Sequence, residues 1–255
     1  MEYGISKIAI IPIRAEGSER SEMVSQLLFG ETYAVTEWQD KWVKIITSFD
    51  DYEGWISRVQ FTALSVEDYQ KLQQAPFELT TQLVTPVTKQ KDSSTLHLAA
   101  GSTLRFFDNG NCMINGDEST VSDLSNANTD TDLMATAKGY LNSPYLWGGR
   151  THFGIDCSGF VQTVYKQHGI NLKRDASQQA EQGVVVDFLQ SATAGDLAFF
   201  DNDEGRIVHV GIMLNNEQII HASGRVKIDT IDDQGIYSQE FRKHTHKLRI
   251  IKRVI

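Results

Sequence analysis

Two cysteines, no long apolar run and a shortage of basic residues limit what this 255-residue chain can be. Cys112 and Cys157 are the only cysteines, too few for the disulfide framework of a small secreted domain. No segment approaches the roughly 20 consecutive apolar residues of a membrane-spanning helix. The 33 acidic residues outnumber the 24 basic ones, and the resulting net charge of −9 argues against a nucleic-acid partner.

The first residues do not have the pattern of an export signal. Lys7 is followed only by a short apolar stretch before Pro12 and Arg14 interrupt it. This predicts a cytoplasmic protein, or a periplasmic or secreted one if a leader is removed. Hydrophobic residues make up 40% of the chain, which suits a globular protein with a core, and the length allows one or two domains.

Cys157 stands at the start of a predicted helix. Apolar side chains recur at helical spacing through residues 156–168, Asp156 is a good N-cap, and Gly169 suits a left-handed C-terminal cap. Backbone amides at a helix start favour a thiolate, whereas the negative charge of Asp156 would oppose it. We therefore expect the Asp156 carboxylate to cap the backbone rather than face the sulfur. The alternative is that Cys157 is a small buried apolar residue, as most lone cysteines are.

Three short strands are predicted downstream, over residues 196–201, 207–214 and 218–223. Residues 215–217 suit a hairpin loop because asparagine tolerates the left-handed conformation. If Leu214 pairs with Gln218, His221 lies opposite Gly211 and His209 is its diagonal neighbour on the same face. A register shifted by one residue would place the two histidines on opposite faces.

These residues predict a cysteine nucleophile with a histidine base. Cys157 would attack a carbonyl carbon as a thiolate, His209 would carry the proton to the leaving amine, and His221 would orient His209. Alternatively, each histidine is an ordinary core or surface residue. The other histidines lack such a context, and we expect residues 244–246, which include His244 and His246, to form a solvated edge rather than a metal site. No cofactor or metal is predicted.

Several sequence blocks together resemble the NlpC family of papain-like cell-wall peptidases, over about residues 130–255. They are PYLWGG at 144–149, DCSGF at 156–160, RDASQQ at 174–179, GDL at 195–197, VHVGI at 208–212 and IHAS at 220–223. The resemblance implies hydrolysis of the bond between γ-D-glutamate and diaminopimelate or lysine in murein peptides. It also implies a Cys157, His209, His221 triad, with Tyr145 as a donor to the oxyanion.

The first half of the chain has the short alternating runs of a small all-β unit, with Trp42, Val43 and Ile45 in one run and Trp55 and Ile56 in another. The latter run resembles the closing strand of a bacterial SH3-like barrel. A weaker β pattern follows over residues 77–121, residues 65–74 suggest a short polar helix or linker, and residues 117–132 suggest a linker. The predicted fold class is α+β: SH3-like units at 1–66 and, in degenerate form, at 77–126, then a papain-like NlpC peptidase domain at 127–255.

Two β units before such a domain resemble the dipeptidyl-peptidase VI branch of the family, which releases L-Ala-γ-D-Glu from free murein peptides. That resemblance implies that Asp175 binds the substrate's free amino terminus, with Glu31 and Tyr52 as companions, and that Arg174 holds the α-carboxylate of D-Glu. The remaining predicted substrate contacts are Asp156, Ser158 and Trp147. This sequence departs from the pattern of that branch at Ala176, where a residue with a hydroxyl group is expected. The departure puts one substrate hydrogen bond in doubt.

Each carried-over residue also has an ordinary interpretation. Glu31 could be a solvated turn charge, Tyr52 a barrel aromatic, and Trp147 an aromatic packing residue, as could Tyr145. Arg174 could belong to a surface ion pair of little energetic weight.

Rival functions are an amidase or general endopeptidase acting on intact peptidoglycan, a binding module with an inactive peptidase, and an acyltransferase. His221 argues against the amidase, which usually orients its histidine with Asn or Glu. A complete triad argues against the inactive module, and the sequence leaves the acyltransferase open. We expect a monomer whose partner is a murein peptide.

Overall fold

The structure, a computed structural model, describes residues 2–114, 116–121 and 132–254. The chain divides into two units, Met1–Thr129 and Asp130–Ile255. The predicted domain boundary at residues 126 and 127 lies outside the described residues, and the division into three domains stays a prediction. Among the helices within the described ranges, none combines the length and apolar character needed to cross a membrane.

The first unit begins with a sheet whose alternating apolar residues fill one core, so the predicted β character is confirmed. The sheet order is β3-β2-β6-β5-β4-β1-β7. Its strands are β1 (Glu2–Ile5), β2 (Ile10–Arg14), β3 (Met23–Leu28), β4 (Thr32–Trp38), β5 (Trp42–Thr47), β6 (Glu53–Ser57) and β7 (Ala63–Leu64). The core includes Ile11, Ile13, Leu27, Tyr33, Val35, Val43, Ile45 and Ile56.

A short helix and a second set of strands complete the first unit. Helix α1 (Val66–Gln74) is capped by Ser65, whose side chain accepts a hydrogen bond from the Asp68 N–H. Of the two alternatives for residues 65–74, the short polar helix is therefore confirmed. The strands are β8 (Phe77–Leu79), β9 (Val84–Lys89), β10 (Thr95–Ala99), β11 (Thr103–Arg105), β12 (Asn111–Ile114) and β13 (Asp117–Val121). They form a four-stranded sheet, β10-β9-β13-β12, and a pair, β11-β8. Their likeness to a second SH3 unit stays a prediction.

The linker predicted over residues 117–132 is wrong at its beginning. Residues 117–121 form β13, which pairs with both β12 and β9 and buries Ser119 and Val121. Burial of alternate side chains stabilises this polar segment as a strand, which its composition did not indicate. Residues 122–131 lie outside the described residues.

The second unit is a seven-stranded antiparallel sheet with helices packed against it, in the order β16-β22-β17-β18-β19-β20-β21. Its helices are α2 (Leu133–Gly139), α3 (Cys157–Gln167) and α4 (Ala176–Gln179). Its strands are β14 (Arg150–Thr151), β15 (Gly154–Ile155), β16 (Val184–Val186), β17 (Leu197–Asp201), β18 (Ile207–Met213), β19 (Gln218–Ser223), β20 (Arg225–Asp232), β21 (Gly235–Ser238) and β22 (Lys243–Arg253). The short strands β14 and β15 pair with each other.

Helix α3 has the caps that the sequence predicted. The Asp156 side chain accepts a hydrogen bond from the Gly159 N–H at 2.7 Å. At the other end Gly169 has a φ of +74°, and the Ile170 N–H donates to the Tyr165 carbonyl at 3.0 Å. Every residue from Cys157 to Lys166 is buried, so the helix lies inside the unit rather than on its surface.

The hairpin of β18 and β19 has the predicted register. Gly211 lies opposite His221, and the Leu214 N–H donates to the Gln218 carbonyl at 2.8 Å. The absence of a side chain at residue 211 matters here, because an added Cβ would lie 2.8 Å from the His221 Cβ. The register and this glycine together place His209 and His221 on one face.

We expect Gly211→Ala to destabilise the protein and to lower the peptidase turnover that the sequence resemblance predicts. The new methyl group would lie 2.7 Å from the Ile219 Cδ1 as well as against His221, and overpacking of this kind costs about 1–3 kcal/mol. Urea unfolding and turnover with a murein peptide, the substrate that the resemblance implies, measure the two effects. Gly139→Ala is the matched control, since a Cβ there meets no atom within 4 Å. Equal behaviour of the two variants would contradict this account of Gly211.

Candidate active site

The Cys157 thiol lies at the first residue of α3, against the strand that carries His209. The backbone N–H groups of Val210 and Ser158 both bond to the sulfur and lower its pKa, as the helix-start position predicted. Burial outweighs them and, with the Asp156 charge, raises the pKa of Cys157 to about 12. The expectation of a free thiolate is therefore wrong for the resting protein, in which Cys157 is a thiol.

Asp156 and Arg174 form a buried ion pair beside the thiol. The two Arg174 terminal nitrogens reach the Asp156 carboxylate at 3.1 and 2.6 Å, and one of them also donates to the Ser158 hydroxyl at 2.9 Å. The second carboxylate oxygen accepts the Gly148 N–H at 2.8 Å. Asp156 thus caps the helix as predicted. Arg174 is 1% exposed, so its interpretation as a surface ion pair is wrong.

The two predicted histidines meet and continue into an acidic residue. The His209 Nε2 lies 2.8 Å from the His221 Nδ1, and the His221 Nε2 lies 3.1 Å from the Asp229 Oδ2. Lys227 pairs with the same Asp229 oxygen at 3.0 Å. Burial lowers the pKa values of His209 and His221, for His209 well below 6.5, so both rings are neutral at pH 7. The sequence predicted His209 and His221 but missed Asp229 and Lys227.

His246 is a further residue that the sequence interpretation missed. Its ring stacks on His209 with centroids 4.1 Å apart and planes inclined by 25°. Burial lowers the pKa of His246 to about 4, so it is neutral, and the prediction of a solvated edge is wrong for this residue. His244 is exposed and pairs with Asp232 at 2.9 Å, in keeping with that prediction.

Three imidazoles in one cluster raise the question of a metal site. One ring nitrogen each from His209, His221 and His246 lies within 4.8 Å of the others. A metal ion must lie near the plane of every ring that ligates it, yet the His209 and His246 rings are stacked almost parallel. In addition, His209 and His221 already share a hydrogen bond through the nitrogens that face each other. The arrangement fits proton transfer and does not fit a shared metal ion.

Tyr145 lies near the thiol with its phenol protonated. Burial, followed by the nearby Cys157 and Asp156, raises the pKa of Tyr145 above its usual range. Its backbone is held by the Gly224 carbonyl at 3.0 Å and by a bridge to Ile155. A neutral phenol beside the nucleophile can donate a hydrogen bond to a developing oxyanion, which supports its predicted role.

The other predicted substrate contacts stay predictions. Trp147 is 55% exposed, and Asp175 is partly exposed just before α4, where its N–H donates to the Gln178 Oε1 at 3.2 Å. In the first unit Tyr52 is partly buried. Glu31 is buried and accepts the Leu28 N–H at 2.9 Å, so its interpretation as a solvated charge is wrong.

The geometry supports attack by a thiol that loses its proton as it reacts. Neutral His209 can accept the proton from Cys157 while the sulfur attacks a carbonyl carbon, and Tyr145 can stabilise the resulting oxyanion. The protonated His209 then donates to the leaving amine, with His221 and Asp229 behind it to stabilise the positive charge. A water molecule would release the acyl group by the same steps.

Cys157→Ala should abolish turnover, and iodoacetamide should label Cys157 faster than Cys112. Both thiols are buried with raised pKa values, about 12 for Cys157 and about 11 for Cys112, so thiolate content alone does not favour Cys157. We expect faster labelling of Cys157 because His209 can accept its proton as the sulfur reacts. Mass spectrometry of labelled peptides gives both rates, and Cys112→Ser, with unchanged turnover, is the control. Turnover that survives in Cys157→Ala would disprove the assignment.

The acid limb of kcat/KM should lie below pH 6.5. The base must be neutral, and since the pKa of His209 is lowered below 6.5, protonation removes the base only under more acidic conditions. Initial rates between pH 4 and pH 8 test this. A limb centred above pH 6.5 would mean that a different group is the base.

Comparisons with known proteins find a family match in each of the two units. The NlpC/P60 family model matches residues 142–247, and the model of the bacterial dipeptidyl-peptidase Sh3 domain matches residues 13–60. A crystal structure of an NlpC/P60 family protein from Bacillus cereus has the same fold, with a TM-score of 0.84 over 99% of each chain at 20% identity.

Two curated relatives match most of the chain, and a third matches less than half of it. A gamma-D-glutamyl-L-lysine dipeptidyl-peptidase from Bacillus cereus is 29% identical over 251 residues, which cover 87% of this chain and 74% of that protein. Its counterpart from Bacillus subtilis is 31% identical over 221 residues, 78% of this chain and 71% of that protein. The probable endopeptidase p60 of Listeria seeligeri is 40% identical over 104 residues, 40% of this chain and 20% of that protein. The chain belongs to the NlpC/P60 family of cysteine peptidases.

Proposed function

We propose that this peptidase hydrolyses the γ-D-glutamyl–diamino acid bond of murein peptides that begin with a free L-Ala, and so releases L-Ala-γ-D-Glu during cell-wall peptide recycling. The observation that carries the proposal is the extent of the matches. Similarity to the two dipeptidyl-peptidases covers 87% and 78% of this chain, whereas similarity to p60 covers only 40%. The first unit is thus a feature shared with enzymes named for releasing dipeptides.

The catalytic steps assign the substrate's parts to the residues described. The side-chain carbonyl of D-Glu would lie at the Cys157 sulfur, with the oxyanion directed at Tyr145 and the leaving amine of the diamino acid at His209. Arg174 already holds Asp156 and Ser158, with hydrogen bonds from 2.6 to 3.1 Å. Arg174 therefore positions these two side chains, in addition to its proposed contact with the α-carboxylate of D-Glu.

The free amino terminus of the substrate is a positively charged ammonium group. The protein must therefore place a negative charge where the first residue binds, and Asp175 would supply it. It follows Arg174 directly, and it is partly exposed at the start of α4. Glu31 and Tyr52 belong to the first unit, and their part in recognition of the ammonium group stays a prediction. Leaving a buried charge without its partner costs about 2–5 kcal/mol, which is roughly a 30- to 5000-fold loss in binding or rate.

The second candidate is a general cell-wall endopeptidase, favoured by the 40% identity to p60 within the 104 matched residues. Such an enzyme would cleave the same bond in intact murein. It would have no need of a free amino group at the first residue. The two candidates therefore differ in their response to that amine.

N-acetylation of the first alanine should remove most of the activity toward L-Ala-γ-D-Glu-diaminopimelate and its lysine counterpart. Asp175→Asn should cause a comparable loss, on the order of 30-fold or more, because the substrate ammonium loses its ionic partner. Products are identified by mass and initial rates are compared. Glu181→Gln, an exposed carboxylate in the turn after α4, is the matched control and should leave the rate unchanged.

Efficient cleavage of intact murein sacculi, or equal rates for the acetylated and free peptides, would support the general endopeptidase instead. Release of the whole peptide from its sugar would point to an amidase. The ratio of rates for the diaminopimelate and lysine peptides assigns the preferred diamino acid.

A further inference from the structure

We infer that Asp229 is a positioning residue that sets the tautomers of both His221 and His209, so that the lone pair of His209 Nδ1 faces the reaction. The inference follows from three consecutive contacts in the second unit. They run from Lys227 to Asp229 at 3.0 Å, from Asp229 to His221 at 3.1 Å and from His221 to His209 at 2.8 Å.

The direction of the first hydrogen bond follows from charge. The Asp229 Oδ2 faces the Lys227 ammonium as well as the His221 Nε2. Hydrogen bonds with these two neighbours lower the pKa of Asp229 despite its burial, so the carboxyl group is ionised. An ionised carboxylate only accepts hydrogen bonds, and the His221 Nε2 must therefore carry a hydrogen and donate it.

The second hydrogen bond follows from the first. A neutral imidazole has one N–H, so a His221 protonated at Nε2 presents Nδ1 as an acceptor. The nitrogen that faces it is the His209 Nε2, which must then be the donor. His209 is neutral too, and so its Nδ1 is left with the lone pair. This is the nitrogen that can accept a proton from Cys157.

The opposite arrangement would disable the base. If His221 carried its hydrogen on Nδ1, it would donate to the His209 Nε2, and the hydrogen of His209 would move to Nδ1. A protonated Nδ1 cannot take a proton from the thiol. Lys227 would favour this arrangement if Asp229 were absent, because its ammonium could then donate to the His221 Nε2. A single buried carboxylate therefore selects the productive form of two rings.

Nitrogen-15 NMR of histidine-labelled protein tests the inference in the wild type, without substrate. The ring nitrogen shifts distinguish the two neutral tautomers, and His209→Gln and His221→Gln assign the signals. At pH 7 we expect both rings to be neutral with the hydrogen on Nε2. A hydrogen on Nδ1 of either ring would overturn the inference.

Substitutions test whether Asp229 is the cause. Asp229→Leu should move both hydrogens to Nδ1 and lower turnover and iodoacetamide labelling of Cys157 on the order of 10³- to 10⁴-fold, as expected for a base in the wrong tautomer. Asp229→Asn should lose less, because Lys227 holds its amide oxygen where the carboxylate oxygen lies. The control is Asp232→Asn, a carboxylate on the same strand that bonds to His244 outside this chain of contacts.

A double variant separates this role from simple destabilisation. Asp229→Leu removes the ionised partner of Lys227, a largely buried ammonium that keeps only a 4.0 Å contact with Glu240, and this loss destabilises the protein. Adding Lys227→Met removes both that charge and the donor that favours the wrong tautomer, so the double variant should be more reactive than Asp229→Leu alone. Labelling rates in folded Asp229→Leu within about 3-fold of wild type, or a double variant no more reactive than the single one, would refute the inference.

The proposal rests on Cys157 and His209 as the catalytic pair, but not on the substrate proposed above. Labelling and NMR need no peptide, so failure to cleave L-Ala-γ-D-Glu peptides would leave these tests intact. Conversely, a negative result for Asp229 would leave the peptide assay unaffected.

Discussion

The antiparallel register of β18 and β19 is the constraint on which the active site depends. It pairs Gly211 with His221 and thereby places His209 on the same face, within 2.8 Å of His221. A shift of one residue would reverse the face of every side chain in one strand. The three-residue loop between the strands sets this register, and Gly211 provides the space for it.

Charge in the second unit is arranged around a neutral centre. Cys157, His209, His221 and His246 are uncharged at pH 7 because burial penalises their charged forms. Two ion pairs flank them: Asp156 with Arg174 on the side of the thiol, and Asp229 with Lys227 behind the histidines. Breaking the fully buried Asp156–Arg174 pair by removing one partner would cost about 3–5 kcal/mol, because it leaves the other charge uncompensated. The reaction then moves a proton between neutral groups whose surroundings are already oriented.

Local patterns were enough to predict the helix start, the hairpin and the two histidines. Each depends on residues close together in sequence: Asp156 and Cys157 with the apolar spacing that follows them, or residues 207–223 with their alternation. The thiolate expectation failed because it considered the helix amides and not the burial of the whole helix. Arg174 was given a surface alternative for the same reason, since nothing in a short motif shows that it is 1% exposed.

Asp229, Lys227 and His246 are neighbours of the predicted triad that the sequence interpretation missed. Lys227 lies opposite His221 in the β19–β20 register, and Asp229 lies two residues farther along β20. Prediction of β20 would have suggested this neighbourhood. His246 is different, because β22 joins the sheet through β17 and β21, and it lies 37 residues beyond His209 in the chain. The sequence alone was enough to predict the nucleophile, its base and the residue that orients the base, since hydrogen-bonding chemistry and strand alternation are local. The protonation of these groups was decided by burial and by charges from distant strands, because a pKa depends on everything that surrounds the group in space.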